Sequence, residues 1–183
     1  LRHIEKLGTR EWCGYSFSWM ACMYARCREA DSAVSMLNKF ASNFVSTNSF
    51  HLNGDQKGGQ FSNFTYRPFT LEGNFAFAQG VQELLLQTRG GIIEVFPAVP
   101  ESWKDVSFRT LRAEGAFLVS AVKENGKVKE IVVKREAGGN CLLRLPFENW
   151  TITGIDKNKI KVKEGVMEIR MIKGQECIMR KKE

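Results

Sequence analysis

The chain has 183 residues, 43% of them hydrophobic and 26% charged, with a formal net charge of +7 at pH 7. That balance supports a buried core and excludes a largely disordered chain. No apolar run approaches membrane-spanning length, and Cys13, Cys22, Cys27, Cys141 and Cys177 form neither a C-x-x-C pair nor a metal-ligand spacing, so no membrane span, metal or cofactor is expected.

The chain starts at Leu1 with no basic leader ahead of an apolar stretch, as a mature or trimmed segment does. From about Gly14 to Arg28 the residues Phe17, Met20, Ala21, Tyr24 and Cys27 recur at steps of three and four, which predicts an amphipathic helix with Cys22 and Cys27 as buried thiols. Asp31 is placed to cap a second helix, whose period continues through Val34, Leu37, Ala41, Phe44 and Val45. The short link between the two implies an antiparallel hairpin. Between Ser46 and Thr70 the period fails, and Gly54, Gly58, Gly59 and Pro68 mark a long loop of the kind that often carries a site. A third helix is predicted from about Asn74 to Thr88, with Phe77, Val81, Leu84, Leu85 and Thr88 on one stripe and Gly90-Gly91 as its left-handed stop.

Beyond Gly91 the period changes to two. Ile92 to Phe96 is a short apolar run ended by Pro97 and Pro100. Ala116 to Val122 and Lys127 to Lys134 flank Asn125-Gly126, a hairpin signal because both residues tolerate positive φ. Gly138-Gly139, Gly154, Gly165 and Gly174 divide the rest into strand-sized pieces, the spacing of a β-sandwich. Lys157, Lys159, Lys161 and Lys163 alternate with Asn158, Ile160 and Val162 as on the wet face of a half-buried strand. With no aromatic residues among those lysines, nucleic acid is not expected as a partner. The fold class is therefore α+β, with helices over residues 1–91 and an antiparallel β-sandwich over 92–183. Three helices with wide apolar stripes need further cover, from an upstream part of the same polypeptide or from an oligomer.

The run Thr70-Leu71-Glu72-Gly73-Asn74-Phe75, followed by Val81 to Gln87, by Ile93-Glu94-Val95-Phe96-Pro97-Ala98-Val99-Pro100 and by Trp103, resembles glycoside hydrolase family 95. The resemblance spans roughly Glu11 to Gly126, and Gly14-Tyr15-Ser16-Phe17-Ser18-Trp19 is similar to the opening of a late barrel helix in that family. It implies the last helices of an (α/α)6 toroid and a C-terminal β-sandwich. The implied parent is an inverting hydrolase of α-L-fucosides or related α-L-galactosides, periplasmic or extracellular. Its substrate would be an oligosaccharide or glycan.

An inverting glycosidase needs a general acid at the leaving oxygen and a base that activates water on the other face, their carboxyls about 6.5–9.5 Å apart. The family places an aspartate on the base side where this chain has Glu72, which keeps the carboxylate and adds one methylene. The general acid and the asparagines that assist the base lie upstream of the resembled region, so the segment is expected to be inactive alone. Asn74 would hydrogen-bond a sugar hydroxyl, His51 and Asn53 would line the mouth of the pocket, and Tyr15 and Trp19 would stack on a sugar ring. Plainer readings stand beside these. Glu72 also suits a helix N-terminus, Asn74 a turn, His51 an exposed loop, and Trp19 packing within the helical layer. A non-catalytic carbohydrate-binding or structural module is the alternative function. No nucleophile elbow or phosphate-binding loop is present, and the Asn149-Trp150-Thr151 acceptor pattern is assigned no role.

Overall fold

A computed structural model describes residues 1–146 and 149–182. The chain divides into two compact units, Leu1–Leu84 and the remainder from Leu85 onward.

The first unit contains α1 (Arg2–Leu7), α2 (Gly14–Arg26), α3 (Ala30–Asn43) and most of α4 (Glu72–Leu85). The apolar period of α2 buries Phe17, Met20, Ala21 and Tyr24, and α3 answers with Ala33, Leu37 and Phe40. Phe17 lies 4.8 Å from Phe44 and 5.2 Å from Trp12, the latter edge to face, while Phe40 stacks on Phe77 of α4 at 5.4 Å. Full burial of Phe17, Phe40 and Phe44 stabilises the fold by about 1.5–3 kcal/mol for each ring. Gly80 lets α4 approach closely, because a Cβ there would lie 3.0 Å from Leu37 and 3.4 Å from Ala21.

Helix boundaries differ from the sequence reading in instructive ways. Helix α2 stops at Arg26, and Arg28 turns the chain with φ 64°, so Cys27 is an exposed end residue and not a buried thiol. Glu29 precedes α3 with no side-chain cap, and Asp31 lies inside its first turn, where the charge still favours the helix dipole. Val45 leaves the helix and bridges His51. Helix α4 begins at Glu72 and ends at Leu85, and Thr88 belongs to strand β1 (Leu86–Arg89). Gly90 and Gly91, at φ 57° and 79°, form the tight turn to β2 (Ile92–Val95), closing a hairpin and not a helix.

The second unit continues with β3 (Val106–Ala113), β4 (Phe117–Glu124), β5 (Lys127–Arg135), β6 (Gly139–Arg144), β7 (Trp150–Thr153), β8 (Ile160–Lys163), β9 (Val166–Met171) and β10 (Glu176–Lys181). They form two five-stranded sheets, β1-β2-β6-β9-β8 and β3-β4-β5-β10-β7. Among the described residues the pairs are antiparallel apart from β2–β6, which is parallel. Alternate residues of both sheets enter one core, with Ile93, Leu143 and Ile169 from the first and Val119, Ile131 and Met179 from the second. The fold is α+β, with helices followed by two antiparallel-rich sheets. The turn at Asn125-Gly126 joins β4 to β5 as its sequence requires. The lysine run is only partly a strand: Lys157–Lys159 is a 3₁₀ turn, and Val162 on the edge strand β8 is 57% exposed. No helix among the described residues is long and apolar enough to cross a membrane.

Candidate functional site

The loop from 46 to 71 is irregular in sequence yet tied at many points. Asp55, 1% exposed, accepts hydrogen bonds from the backbone N–H of Lys57 (2.8 Å) and Phe61 (2.7 Å) and from Asn43 Nδ2 (3.1 Å). Burial pushes its carboxyl pKa up, but these bonds outweigh burial and hold it below the ordinary aspartate range. The 51–55 segment lies back on 64–70, with Asp55 N–H donating to Phe64 O at 2.7 Å and Gly54 N–H to Tyr66 O at 2.9 Å. A Cβ on Gly54 would sit 2.5 Å from Tyr66 O, so that approach requires glycine.

This loop delivers the chain to α4, where Glu72 is the first helical residue and is exposed. Asn74 spends its amide on the loop. Its Oδ1 accepts from the His51 N–H and its Nδ2 donates to Ser49 O, both at 2.8 Å. His51 does not line a mouth, and it is not an exposed loop residue either: its side chain is fully buried. Its Nδ1 lies 2.6 Å from Thr70 O and 2.8 Å from Thr70 Oγ1. A carbonyl only accepts, so Nδ1 carries the proton. Burial lowers the imidazole pKa, against the raising effects of the Thr70 carbonyl and Glu72, and favours the neutral ring. Asn53 is half-buried, donating from Nδ2 to Tyr66 Oη at 3.3 Å while its carbonyl accepts from Gly14 N–H at 2.9 Å.

The open surface is a groove of about 620 Å³ between α2 and α4. Tyr15, Trp19, Cys22, Met23 and Arg26 form one wall, and Glu72, Phe75, Ala76, Gln79 and Glu83 the other. Tyr15 and Trp19 are 38% and 41% exposed and Phe75 is 67% exposed, so aromatic faces are available beside a carboxylate. Arg26 pairs with Glu83 at 2.6 Å, and Gln79 Nε2 donates to the same carboxylate oxygen at 2.8 Å. Burial, with help from Glu83, pushes the Cys22 thiol up to about 11, so it is no nucleophile.

Of the residues singled out in the sequence, the groove brings together Glu72, Tyr15 and Trp19, while His51, Asn53 and Asn74 lie outside its lining. The sequence reading missed Phe75, Arg26 and Glu83. Their signal was present: 15, 19, 22, 23 and 26 on α2, and 72, 75, 76, 79 and 83 on α4, each fall on one helical stripe. Glu72 and Glu83 are the two carboxyls lining the groove. They are separated by three helical turns, about 16 Å at the usual rise.

Residues 2–85 match the glycosyl hydrolase family 95 catalytic domain, and residues 87–179 match the glycoside hydrolase family 95 C-terminal domain. Alpha-L-fucosidase 2 of Arabidopsis thaliana is 31% identical over 130 residues, covering 69% of this chain and 15% of that protein. The match thus spans about a seventh of the length of that relative. Among solved structures, a GH127 beta-L-arabinofuranosidase from Geobacillus stearothermophilus T6 overlaps 87% of this chain and 28% of its own, at 15% identity and a TM-score of 0.30, too low to bear on the fold. Two adjoining family matches meet at the helix-to-strand transition and together cover nearly the whole sequence: the chain belongs to glycoside hydrolase family 95.

Proposed function

We propose that the helical unit is the closing portion of an (α/α)6 catalytic barrel and the second unit a C-terminal β-sandwich. The parent is an inverting glycoside hydrolase acting on terminal α-L-fucosides or related α-L-galactosides. The observation that carries this is Glu72, exposed at the first turn of α4 and lining a groove walled by Tyr15 and Trp19. In this reading Glu72 activates the attacking water, and Tyr15 and Trp19 pack against the C–H face of the sugar. Asn53 and Asn74 shape the sugar-facing loop, and His51 supports it from inside.

The general acid comes from elsewhere in the polypeptide. Glu83 cannot supply it, because about 16 Å along a helix exceeds the roughly 6.5–9.5 Å that an inverting pair requires. The segment alone is therefore inactive, and upstream helices of the same polypeptide cover its remaining apolar surface. A periplasmic or extracellular setting goes with this reading. The missing acid also favours a second reading, in which the segment binds glycans or serves as a structural module without catalysis.

The test is hydrolysis of 4-nitrophenyl α-L-fucoside and a 2′-fucosylated oligosaccharide by this chain and by the full-length protein, each as wild type and as Glu72→Gln. Activity confined to the full-length protein, inverting by NMR and lost in Glu72→Gln, supports the proposal. Retention of configuration, or indifference to Glu72, removes it and leaves the binding module, which calorimetry with the same sugars would check.

A further inference from the structure

Three helices meet on one side chain, and that side chain is polar. The His51 ring packs 5.2 Å from the Phe40 ring of α3. It also fills the space between the first turns of α2 and α4. A Cβ on Gly14 would lie 2.3 Å from His51 Nε2 and 2.8 Å from Cδ2, and a Cβ on Gly73 would lie 2.3 Å from Nδ1 and 2.5 Å from Cγ. The two edges of one imidazole therefore touch two different helix starts. The chain tolerates this closeness because both positions are glycine.

An apolar ring of similar size would fill the volume but would not be anchored. Nδ1–H donates to Thr70 O, two residues before Glu72, and the His51 N–H is held by Asn74 Oδ1 in the same first turn of α4. On the opposite edge the neighbour is Gly14, one residue before Tyr15. We propose that His51 is a positioning residue whose imidazole sets the spacing between the first turns of α2 and α4, and so the distance from Glu72 to the aromatic wall of Tyr15 and Trp19. Its effect on turnover rests on the glycosidase reading above, whereas the spacing itself does not.

The two edges can be separated by substitution. An asparagine amide can occupy the Nδ1 position but leaves the Nε2 side empty. In the full-length protein, His51→Ala is expected to speed amide hydrogen exchange in both first turns, at 14–17 and at 72–76. His51→Asn should restore protection in the α4 turn and not in the α2 turn. On an aryl α-L-fucoside, His51→Ala should lower kcat on the order of a hundredfold, as misplacement of a reacting group by about 1 Å does. His51→Asn should recover most of kcat while KM stays raised, because the Glu72 turn is held and the aromatic wall is not. In the wild type, imidazole ¹⁵N shifts should report a proton on Nδ1.

A proton on Nε2 in the wild type, unchanged exchange in either turn of His51→Ala, or equal loosening of both turns in His51→Asn overturns the proposal. The tautomer measurement needs no variant and so survives a substitution that fails to fold. A protein whose variants show the exchange pattern and whose wild type shows the tautomer, but which hydrolyses neither an α-L-fucoside nor an α-L-galactoside, overturns the glycosidase reading and leaves the spacing role standing.

Discussion

Glu72 and His51 make opposite demands on their surroundings. Glu72 sits in water at a helix N-terminus, where its charge is favoured, and its removal should cost turnover with little loss of stability. On the proposed reading, Glu72→Gln in the full-length protein is expected to lower kcat by about 10²–10⁴-fold with KM nearly unchanged, measured by steady-state hydrolysis. His51 is buried beside two helix N-termini, whose dipoles also disfavour a cation. Its folded pKa lies below the unfolded value, so between the two the unfolded chain binds more protons and stability rises with pH. The contribution is complete above the unfolded value of about 6.5 and is lost progressively as pH falls from there through the lower folded value. Urea titrations of wild type and His51→Asn near neutrality and near pH 5 should show a steeper loss in the wild type. Asp55, also lowered, acts in a separate and more acidic window near its ordinary value of about 4. Neither the burial of His51 nor the bonds of Asp55 could be read from sequence, because their partners Thr70 and Phe61 are set by the path of the loop and not by spacing.

At the level of elements, periodicity located α2, α3 and the core of α4 well, since their buried stripes repeat at three and four residues. It failed at the junction of α4 and β1. Leu84-Leu85-Leu86 satisfies a helical stripe and an apolar strand equally, and Gly90-Gly91 satisfies both a helix stop and a hairpin turn, because each needs positive φ. Only the pairing of Arg89 with Ile92 decides between them. Gly91→Val should therefore destabilise by at least about 1–2 kcal/mol through its left-handed backbone, read from denaturant melting followed in the β unit. Gly73→Ala, in contrast, collides with a ring and not with its own backbone, and overpacking of this kind costs about 1–3 kcal/mol. Loosening the ring by His51→Ala should relieve part of that cost, so a double-mutant cycle on 51 and 73 is expected to show strong coupling.

Over the whole molecule, the change from period 3.6 to period 2 and the motif run around Glu72 were enough to anticipate helices followed by sheets and membership of one hydrolase family. What sequence withheld was which residues face one another. Tyr15 and Glu72 are 57 positions apart yet line one groove, and the parallel pairing of β2 with β6 has no signature in either strand. A chain that carries one groove carboxylate at the start of α4 and another three turns away should give no hydrolysis by itself, however well it folds. Rates at the buffer background for this chain, beside turnover by the full-length protein, are the expected result.

All five cysteines are free, and their burial is graded across the two units: Cys27 is exposed, Cys13 and Cys22 are half-covered, and Cys141 and Cys177 are fully enclosed. Burial pushes the last two thiols up to about 12 and about 11, far from the thiolate form that reacts. The β unit thus carries its own clock. An alkylating reagent should mark Cys27 at once, Cys22 slowly because its raised pKa leaves little thiolate in the groove, and Cys141 and Cys177 only when the sheets open. Peptide masses from one time course would then give the opening rate of the β unit, with Cys27 as the internal reference, without any introduced probe.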